Sequence, residues 1–416
     1  MAMAGCCQAK APLFWVLQQR FKSMALHTAD NEQADTLALL GDTAHAFLVQ
    51  EQRKDRLRSI DTGRAALDAN FWRQLAAQGW LLLRWPEAQG GSGLGVEAAC
   101  AIAEQLGRHL VPEPVVANAM MPAVFAQLFE RHANAAIWQT LANGYADGSA
   151  TLALAWQPPP VGQAPMQATR SAQGFVLQGS VGGMVALALA QQLMLVAQLD
   201  AEPALFLLNT AAITPNLQTQ TTSDGSTLSV LNLAGFVAPA HALLAHGPAV
   251  QHATAQARQE GCLMTAAQLL GNGEAALELT LAYLRTREQF GRPIGSFQAM
   301  QHAAVDVRIQ LNLARASLQA ALAKQALGES DQAQAAMTAA AKARAGDAAI
   351  QAGRFGVQAH GAMGFTAECD IGLYLKAALR LNAFLGNARE QRSHYVACMG
   401  LTEPLAPDAT AHEVST

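Results

Sequence analysis

Residues 287–301 read Arg-Glu-Gln-Phe-Gly-Arg-Pro-Ile-Gly-Ser-Phe-Gln-Ala-Met-Gln and separate two long segments rich in alanine, leucine and glutamine. The segment over 269–286 predicts a helix. Phe290-Gly291 and then Pro293 predict its end, because glycine loses backbone entropy in a helix and proline lacks the amide donor. Apolar periodicity resumes near Phe297. The sequence therefore predicts two long helices joined by a short turn that carries an arginine, an aromatic ring and an amide.

A second motif follows at 358–368, which reads Gln-Ala-His-Gly-Ala-Met-Gly-Phe-Thr-Ala-Glu. In their order and separation, the two motifs resemble stretches of the acyl-CoA dehydrogenases, flavoenzymes that desaturate acyl-CoA thioesters. The resemblance covers about residues 35–400, nearly the whole chain. It implies an α+β fold in three parts: an N-terminal helical domain, a middle β-barrel domain and a C-terminal four-helix bundle.

Composition divides the chain in the same way. Helical periodicity over 34–149 and 248–400 flanks a stretch over 150–247 in which Pro, Gly and Thr are frequent and short apolar runs alternate with turns. The runs that predict strands are 151–155, 175–178, 193–197, 204–208 and 227–231. We expect an N-terminal extension over 1–33 and a flexible tail over 401–416.

Charge and length limit the function classes. A chain of 416 residues exceeds the usual size of a single core and predicts two or three domains. Its formal net charge of −4 gives no basis for nucleic acid as a partner. Charged residues make up 14% of the chain, so much of the helical surface must be alanine or glutamine, or be covered by another subunit. We therefore expect an oligomer.

Cysteine usage and apolar runs indicate a cytoplasmic protein with no metal site. The six cysteines include no Cys-x-x-Cys and no Cys/His set with metal-ligand spacing, which is typical of reduced thiols. The apolar run over 12–17 is too short for a spanning helix, and no small-residue cleavage site follows it. Residues 174–199 carry no charge, but their glycines and polar residues favour strands. We expect neither a signal peptide nor a membrane span.

The resemblance implies a cofactor, FAD, and residues that contact it. In the family, the C-terminal bundle of one subunit contacts the flavin that its neighbour holds. Arg287 would approach the pyrophosphate, because a guanidinium offers two parallel charge-assisted hydrogen bonds. The other residues that the resemblance assigns to the cofactor are Phe290, Gln298, Gln358, Gly361, Ala362, Gly386 and Asn387. Ala362 departs from the family, which often has a second glycine there. The alternative is that Arg287 caps a helix and Phe290 belongs to the core.

The general base is missing from its usual place. The family's reaction removes a proton next to the thioester carbonyl and therefore needs a carboxylate. Many members have a Glu where this chain has Leu385, and a subset has it on the first bundle helix, where this chain has Gly261. Glu260 is adjacent and is the one candidate, although one residue is a rotation of about 100° on a helix. The alternative is that Glu260 is a solvated helix-face charge beside Arg258.

Two further stretches depart from the family. Residues 155–162 and 181–187 read Ala-Trp-Gln-Pro-Pro-Pro-Val-Gly and Val-Gly-Gly-Met-Val-Ala-Leu, without the hydroxyl, acidic and aromatic residues that touch the flavin ring in the family. The resemblance therefore implies that the ring side of this chain's own site is eroded, whereas the side offered to a neighbour is kept. This asymmetry, with the ending Phe-Leu-Gly-Asn-Ala-Arg, resembles the small or β subunits of bacterial heteromeric acyl-CoA dehydrogenases that degrade steroid side chains or dicarboxylic acids.

We thus predict a poorly catalytic subunit that completes the FAD site of a homologous partner, in a heterotetramer that takes an acyl-CoA substrate and passes electrons to an electron-transfer flavoprotein. Three alternatives remain open. The first is a self-sufficient homomeric dehydrogenase with Glu260 as base. The second is a structural subunit without flavin, and the third is a flavin-dependent monooxygenase or oxidase on the same scaffold.

Overall fold

The computed structural model describes residues 35–51, 54–61, 68–129, 135–187 and 190–401. The predicted extension over 1–33 and all but the first residue of the predicted tail lie outside this part of the chain. Helices occupy the described residues up to Ala146, strands lie between Leu152 and His246, and helices return from Pro248. The predicted α+β class is confirmed in this form. The exact domain boundaries stay predictions.

The N-terminal region is helical, as predicted. Its helices are α1 (35–51), α2 (Lys54–Asp61), α3 (Ala69–Ala77), α4 (Val96–Arg108), α5 (Pro122–Phe129) and α6 (Ala135–Ala146). Asp68 starts α3 as its N-cap, since its side chain accepts a hydrogen bond from the Asn70 amide at 2.8 Å and so satisfies a donor that the first turn leaves free. A π-turn over Val116–Met120 leads into α5.

The middle region forms one eight-stranded sheet with a short helix, α7 (Thr210–Ile213). The strands are β1 (Leu152–Ala155), β2 (Gln167–Ser171), β3 (Gly174–Val185), β4 (Gln192–Leu199), β5 (Glu202–Asn209), β6 (Leu217–Thr221), β7 (Thr227–Ala238) and β8 (Leu243–His246). Their order is β6-β7-β3-β2-β4-β5-β8, with β1 also beside β4. Neighbours are antiparallel except that β1 and β2 run parallel to β4.

The described pairings do not close this sheet into a barrel. β6 pairs with β7 and β8 pairs with β5, so the two strands end the path without meeting each other. The sheet in the described residues is open, which corrects the expected closed barrel. Its inward side chains form a core of their own that includes Phe175, Leu195 and Phe206.

The C-terminal region contains five helices instead of four long ones. They are α8 (Pro248–Thr286), α9 (Gln298–Ala326), α10 (Asp331–His360), α11 (Ile371–Ala383) and α12 (Ala388–Cys398). The first three have 39, 29 and 30 residues, whereas α11 and α12 have 13 and 11. α8 and α9 are joined by a hairpin of β9 (Glu288–Gln289) and β10 (Arg292–Pro293), at the predicted turn.

The two helical regions share one core, and glycines make that possible. A β-carbon on Gly107 in α4 would lie 1.9 Å from the Gln268 carbonyl oxygen in α8, and one on Gly271 would lie 2.0 Å from the Glu104 carbonyl oxygen. Both distances are far inside van der Waals contact. The helices therefore touch backbone to backbone, which fixes α8 against the N-terminal region. No helix in the described ranges has the length and apolarity to cross a bilayer.

Candidate functional site

A cleft of about 1000 Å³ lies between the sheet and the C-terminal helices. One wall includes Trp156, Gln157, Gly183 and Val185, from the two stretches over 155–162 and 181–187 that depart from the family pattern. The first turns of α8 and the turn 384–386 form the opposite wall. The two stretches thus meet on one wall of the cleft.

The two positions at which a base was sought lie beside each other, and Leu385 lines the cleft. A β-carbon on Gly261 would lie 2.9 Å from Cδ1 of Leu385 and 2.7 Å from Sδ of Met121. Leu385 itself has a φ of 60°, which is unusual for a residue with a branched side chain. Apolar side chains therefore fill the space that a carboxylate would occupy. Sequence reasoning missed Met121, because nothing local marks it as a neighbour of α8.

Glu260 lies on α8, in the interior. Its residue is 3% exposed, its Oε2 accepts a hydrogen bond from Arg84 Nη2, and its Oε1 accepts one from Gln256 Nε2 at 3.0 Å. The interpretation of Glu260 as a solvated helix-face charge is therefore wrong. Both carboxylate oxygens are engaged, so Glu260 cannot reach the cleft without breaking its contacts with Arg84 and Gln256.

An ion pair that the sequence did not predict ties the sheet to α11 at the cleft. Arg380, which lines the cleft, donates to Asp224 in the turn between β6 and β7. The hydroxyls of Thr222 and Ser226 each donate to Asp224 Oδ1 at 2.6 Å. Burial alone would raise the pKa of Asp224, but Arg380 and the hydroxyl donors outweigh it and hold that pKa below its usual value. The carboxylate is therefore a structural anion.

The hairpin between α8 and α9 displays its arginine and its aromatic ring on the surface. Phe290 and Gly291 have φ values of 56° and 78°, as in the type I′ turns of two-residue hairpin loops. Phe290 is 92% exposed, so its interpretation as a core residue is wrong. Arg287 is the C-cap residue of α8, and its exposed guanidinium has no hydrogen-bond or ion-pair partner within the described residues. Gln298, the first residue of α9, is exposed as well.

The second motif lies at the same end of the helices. The rings of Tyr283, near the end of α8, and His360, the last residue of α10, stack with centroids 4.1 Å apart. Gln358, Gly361 and Ala362 are exposed there. The structure thus brings together the two motifs that are separated in sequence.

The remaining two assigned residues lie elsewhere. Gly386 lines the cleft. Asn387 is the N-cap of α12, where its Oδ1 accepts hydrogen bonds from the amides of Arg389 at 2.9 Å and Glu390 at 3.1 Å. The eight predicted cofactor residues therefore fall into an exposed group of six and a group of two in the turn before α12.

Comparisons with known proteins agree with this division of the chain. The model of the "Acyl-CoA dehydrogenase, N-terminal domain" matches residues 34–149, and that of the "Acyl-CoA dehydrogenase, C-terminal domain" matches 250–397. The acyl-CoA dehydrogenase FadE27 of Mycobacterium tuberculosis is 30% identical over 347 residues, which are 80% of this chain and 89% of FadE27. The chain belongs to the acyl-CoA dehydrogenase family.

Two other proteins are similar to this acyl-CoA dehydrogenase family member. The acyl-CoA dehydrogenase FadE34 of M. tuberculosis is 29% identical over 87% of the chain, but the match spans 47% of FadE34. A solved structure, that of the ChsE4–ChsE5 complex from M. tuberculosis, has a TM-score of 0.78 at 25% identity and covers 88% of this chain and 98% of the other.

Within the described residues, the cleft of this acyl-CoA dehydrogenase family member offers one acidic side chain, Glu390. Its oxygens accept hydrogen bonds from Asn387, at 2.7 Å from Nδ2 and 3.3 Å from the amide, which completes the capping box of α12. Arg258 and Arg380 supply positive charge. The arrangement can hold a ligand, and the one carboxylate at the cleft is engaged in the cap of α12.

Proposed function

We propose that this chain is the poorly catalytic subunit of a heteromeric, FAD-dependent acyl-CoA dehydrogenase, and that it completes the FAD site of a homologous partner. The observation that carries the proposal is the contact between Leu385 and the Gly261 position. Both places where the family resemblance puts a base are apolar, and the Leu385 side chain fills the space beside Gly261. A chain built in this way needs another subunit for proton abstraction.

The exposed end of α8 and α10 fits the phosphate and adenosine part of FAD. Arg287 carries an unpaired charge there, Phe290 presents an uncovered ring face, and the turn at Gly361 brings backbone to the surface. A free guanidinium matches a pyrophosphate in charge and in geometry. Arg287 would bind the phosphates, Phe290 and Gln298 would line the adenosine, and the residues over 358–362 would approach the phosphates from the other side. When bound, FAD supplies the hydride acceptor for desaturation of the thioester.

The chain's own cleft fits the flavin ring poorly. The stretch over 181–187 contributes Gly183 and Val185 to the wall, and neither side chain can donate a hydrogen bond to a ring heteroatom. Trp156 is the aromatic residue of this wall, next to Gln157 and Pro158. In the heteromer, the partner would therefore provide the ring pocket and the base.

The composition of the assembly follows from this division of roles. The likeness to a chain of the ChsE4–ChsE5 complex supports a partner that is a different polypeptide. The substrate is an acyl-CoA thioester, with a heterotetramer as the assembly and an electron-transfer flavoprotein as the acceptor. We assign residues 34–149 to the helical domain, 150–247 to the sheet domain and 248–400 to the C-terminal helical domain of this subunit.

Co-purification with a homologous acyl-CoA dehydrogenase chain that carries the missing carboxylate, to be sought in the neighbouring reading frames, tests the proposal. We expect the complex to be yellow, to hold a single FAD for each pair of chains and to desaturate acyl-CoA. The chain alone should be colourless and inactive. A yellow homomer that desaturates acyl-CoA would contradict the proposal and support Glu260 or another group as base. A complex without FAD would support the structural-subunit alternative, and consumption of dioxygen during turnover would support an oxidase or monooxygenase.

A further inference from the structure

A buried lysine lies behind the wall of the cleft. Lys342, on α10, is 0% exposed. Its ammonium nitrogen lies 3.1 Å from the carbonyl oxygens of Leu381 and Asn382 and 3.5 Å from that of Gly386. An ammonium has three N–H donors, so each carbonyl can receive one. The lysine reaches from α10 to the end of a different helix, α11, and to the turn that follows it.

The Lys342 ammonium is bound by backbone carbonyls and not by a carboxylate. Within the described residues Lys342 has no carboxylate within ion-pairing distance, and a buried charge without a counterion is costly. Burial lowers the pKa of Lys342 to about 8, while Cys262 in α8 and Glu390 in α12 act in the opposite direction. The carbonyls at the C-terminal end of α11 carry partial negative charge and are left free by the helix, so they suit a cation.

The turn that Lys342 binds is strained and forms part of the cleft. Leu385 and Gly386 both have positive φ, at 60° and 99°, and both line the cleft with Phe384. A leucine stays in this left-handed conformation only where several contacts with the surrounding structure hold it there. Gln391 contributes as well, since its Nε2 donates to the Leu385 carbonyl oxygen at 2.7 Å. Lys342 supplies the contacts on either side of the strained residue.

We propose that Lys342 is a positioning residue of the cleft, which fixes the turn 384–387 so that Leu385 stays packed over Gly261. It touches no ligand and acts through the turn. The inference rests on the proposed function only where it identifies this cleft as the non-catalytic one. The positioning itself is a property of the free chain.

Hydrogen exchange of the full-length chain, followed by mass spectrometry, tests this role. The variants are Lys342→Met, which removes the donors, and Lys342→Arg, which keeps a cation and its donors. Lys324→Met is the control, because Lys324 is a half-exposed surface lysine paired with Glu329. We expect Lys342→Met to speed exchange of the amides over 384–388 at least about tenfold without changing those of α9, since the loss is local. Lys342→Arg should restore most of the protection, and Lys324→Met should leave it as in the wild type.

Equal protection of the turn in the wild type and in Lys342→Met would overturn the proposal. So would faster exchange spread evenly over α8 to α11, because that result indicates a general loss of stability. If Lys342→Met does not fold, the pH dependence of hydrogen exchange in the wild type tests the role instead. Exchange over 384–388, corrected for the intrinsic rate, should then rise through about pH 8, as one of three donors is lost, and a flat profile would overturn the role. FAD content of the complex is a separate reading that tests only the proposed function.

Discussion

A β-carbon on Gly261 would lie 2.9 Å from Cδ1 of Leu385, so the two places where an acyl-CoA dehydrogenase of this family would carry its base are apolar and in contact. One lies in the middle of α8 and the other in the turn after α11, more than a hundred residues apart in sequence. Their contact shows that neither position compensates for the other. Catalysis in the proposed heteromer must therefore use the partner's cleft.

Leu385→Ala in the heteromer should leave kcat for acyl-CoA desaturation within about twofold of the wild type, because its side chain is not part of the reacting site. Replacing the partner's carboxylate should reduce kcat at least about 100-fold, the usual contribution of a general base. Steady-state kinetics of the two complexes make the comparison. A tenfold or greater loss in Leu385→Ala, with FAD still bound, would place chemistry in this chain's cleft.

Glu260→Gln separates a structural carboxylate from a catalytic one. The change should lower the free energy of unfolding by about 3 kcal/mol or more, because it leaves the buried Arg84 without its counterion. Glu329→Gln, at a surface pair with Lys324, is the control and should cost less than about 1 kcal/mol. Denaturant unfolding measures both. If Glu260→Gln unfolds like the wild type but abolishes activity of the chain alone, Glu260 is the base and the chain is a homomeric enzyme.

The backbone contact between α4 and α8 predicts a strong effect of single methyl groups. Gly271→Ala should lower the free energy of unfolding by at least about 3 kcal/mol, since its β-carbon would meet a carbonyl oxygen at 2.0 Å and the helices would have to separate. Gly41→Ala, within α1, meets nothing within 4 Å and should stabilise by up to about 1 kcal/mol. Equal stability of the two variants would show that α4 and α8 are not packed as described.

The pH dependence of stability should reveal the lowered pKa of Lys342. Its pKa is about 8 in the folded chain against 10.5 for an ordinary lysine, so between these pH values the unfolded chain holds a proton that the folded chain does not. The free energy of unfolding of the wild type should therefore rise with pH across this window, relative to Lys342→Met, by roughly 3 kcal/mol in total. Below about pH 8 both states are protonated, and the difference should be constant.

Denaturant unfolding of the two proteins from pH 7 to 10.5 gives this difference directly. Cys262 and Glu390 face Lys342 and are present in both proteins, so their own titration largely cancels. A difference that is flat across the window would mean that Lys342 titrates like an exposed lysine.

Local sequence signals predicted much of the fold. The turn at 287–301 and the helices on either side lie where glycine, proline and apolar spacing predicted them. All five apolar runs of the middle region overlap strands, whereas β2 and β6 were missed because they consist mainly of exposed polar residues. β8 was also not predicted. The closed barrel came from resemblance and not from residues, and no local pattern could show whether the edges of a sheet meet.

The site was harder to predict, because its decisive contacts join distant residues. The alternative that placed Glu260 on a solvated face was wrong, because its partner Arg84 lies 176 positions earlier and no local pattern shows the pair. Lys342 stands in an alanine-rich helix and looks like any surface lysine. By contrast, Leu385 and Gly261 were identified as departures from a family pattern, which needs no knowledge of contacts. Their packing against each other depends on the folded chain and has no local signal.

The most direct measurement is the FAD content of the purified heteromer with Arg287→Gln in this chain. Arg170→Gln is the matched control, because Arg170 is another exposed arginine, on β2 and paired with Asp200. If Arg287 binds the pyrophosphate held by a partner, Arg287→Gln should raise the Kd for FAD at least about tenfold, the usual effect of losing a charge-assisted hydrogen bond. Arg170→Gln should leave it unchanged. Equal FAD affinity in the two variants, with the complex intact, would contradict a shared cofactor site.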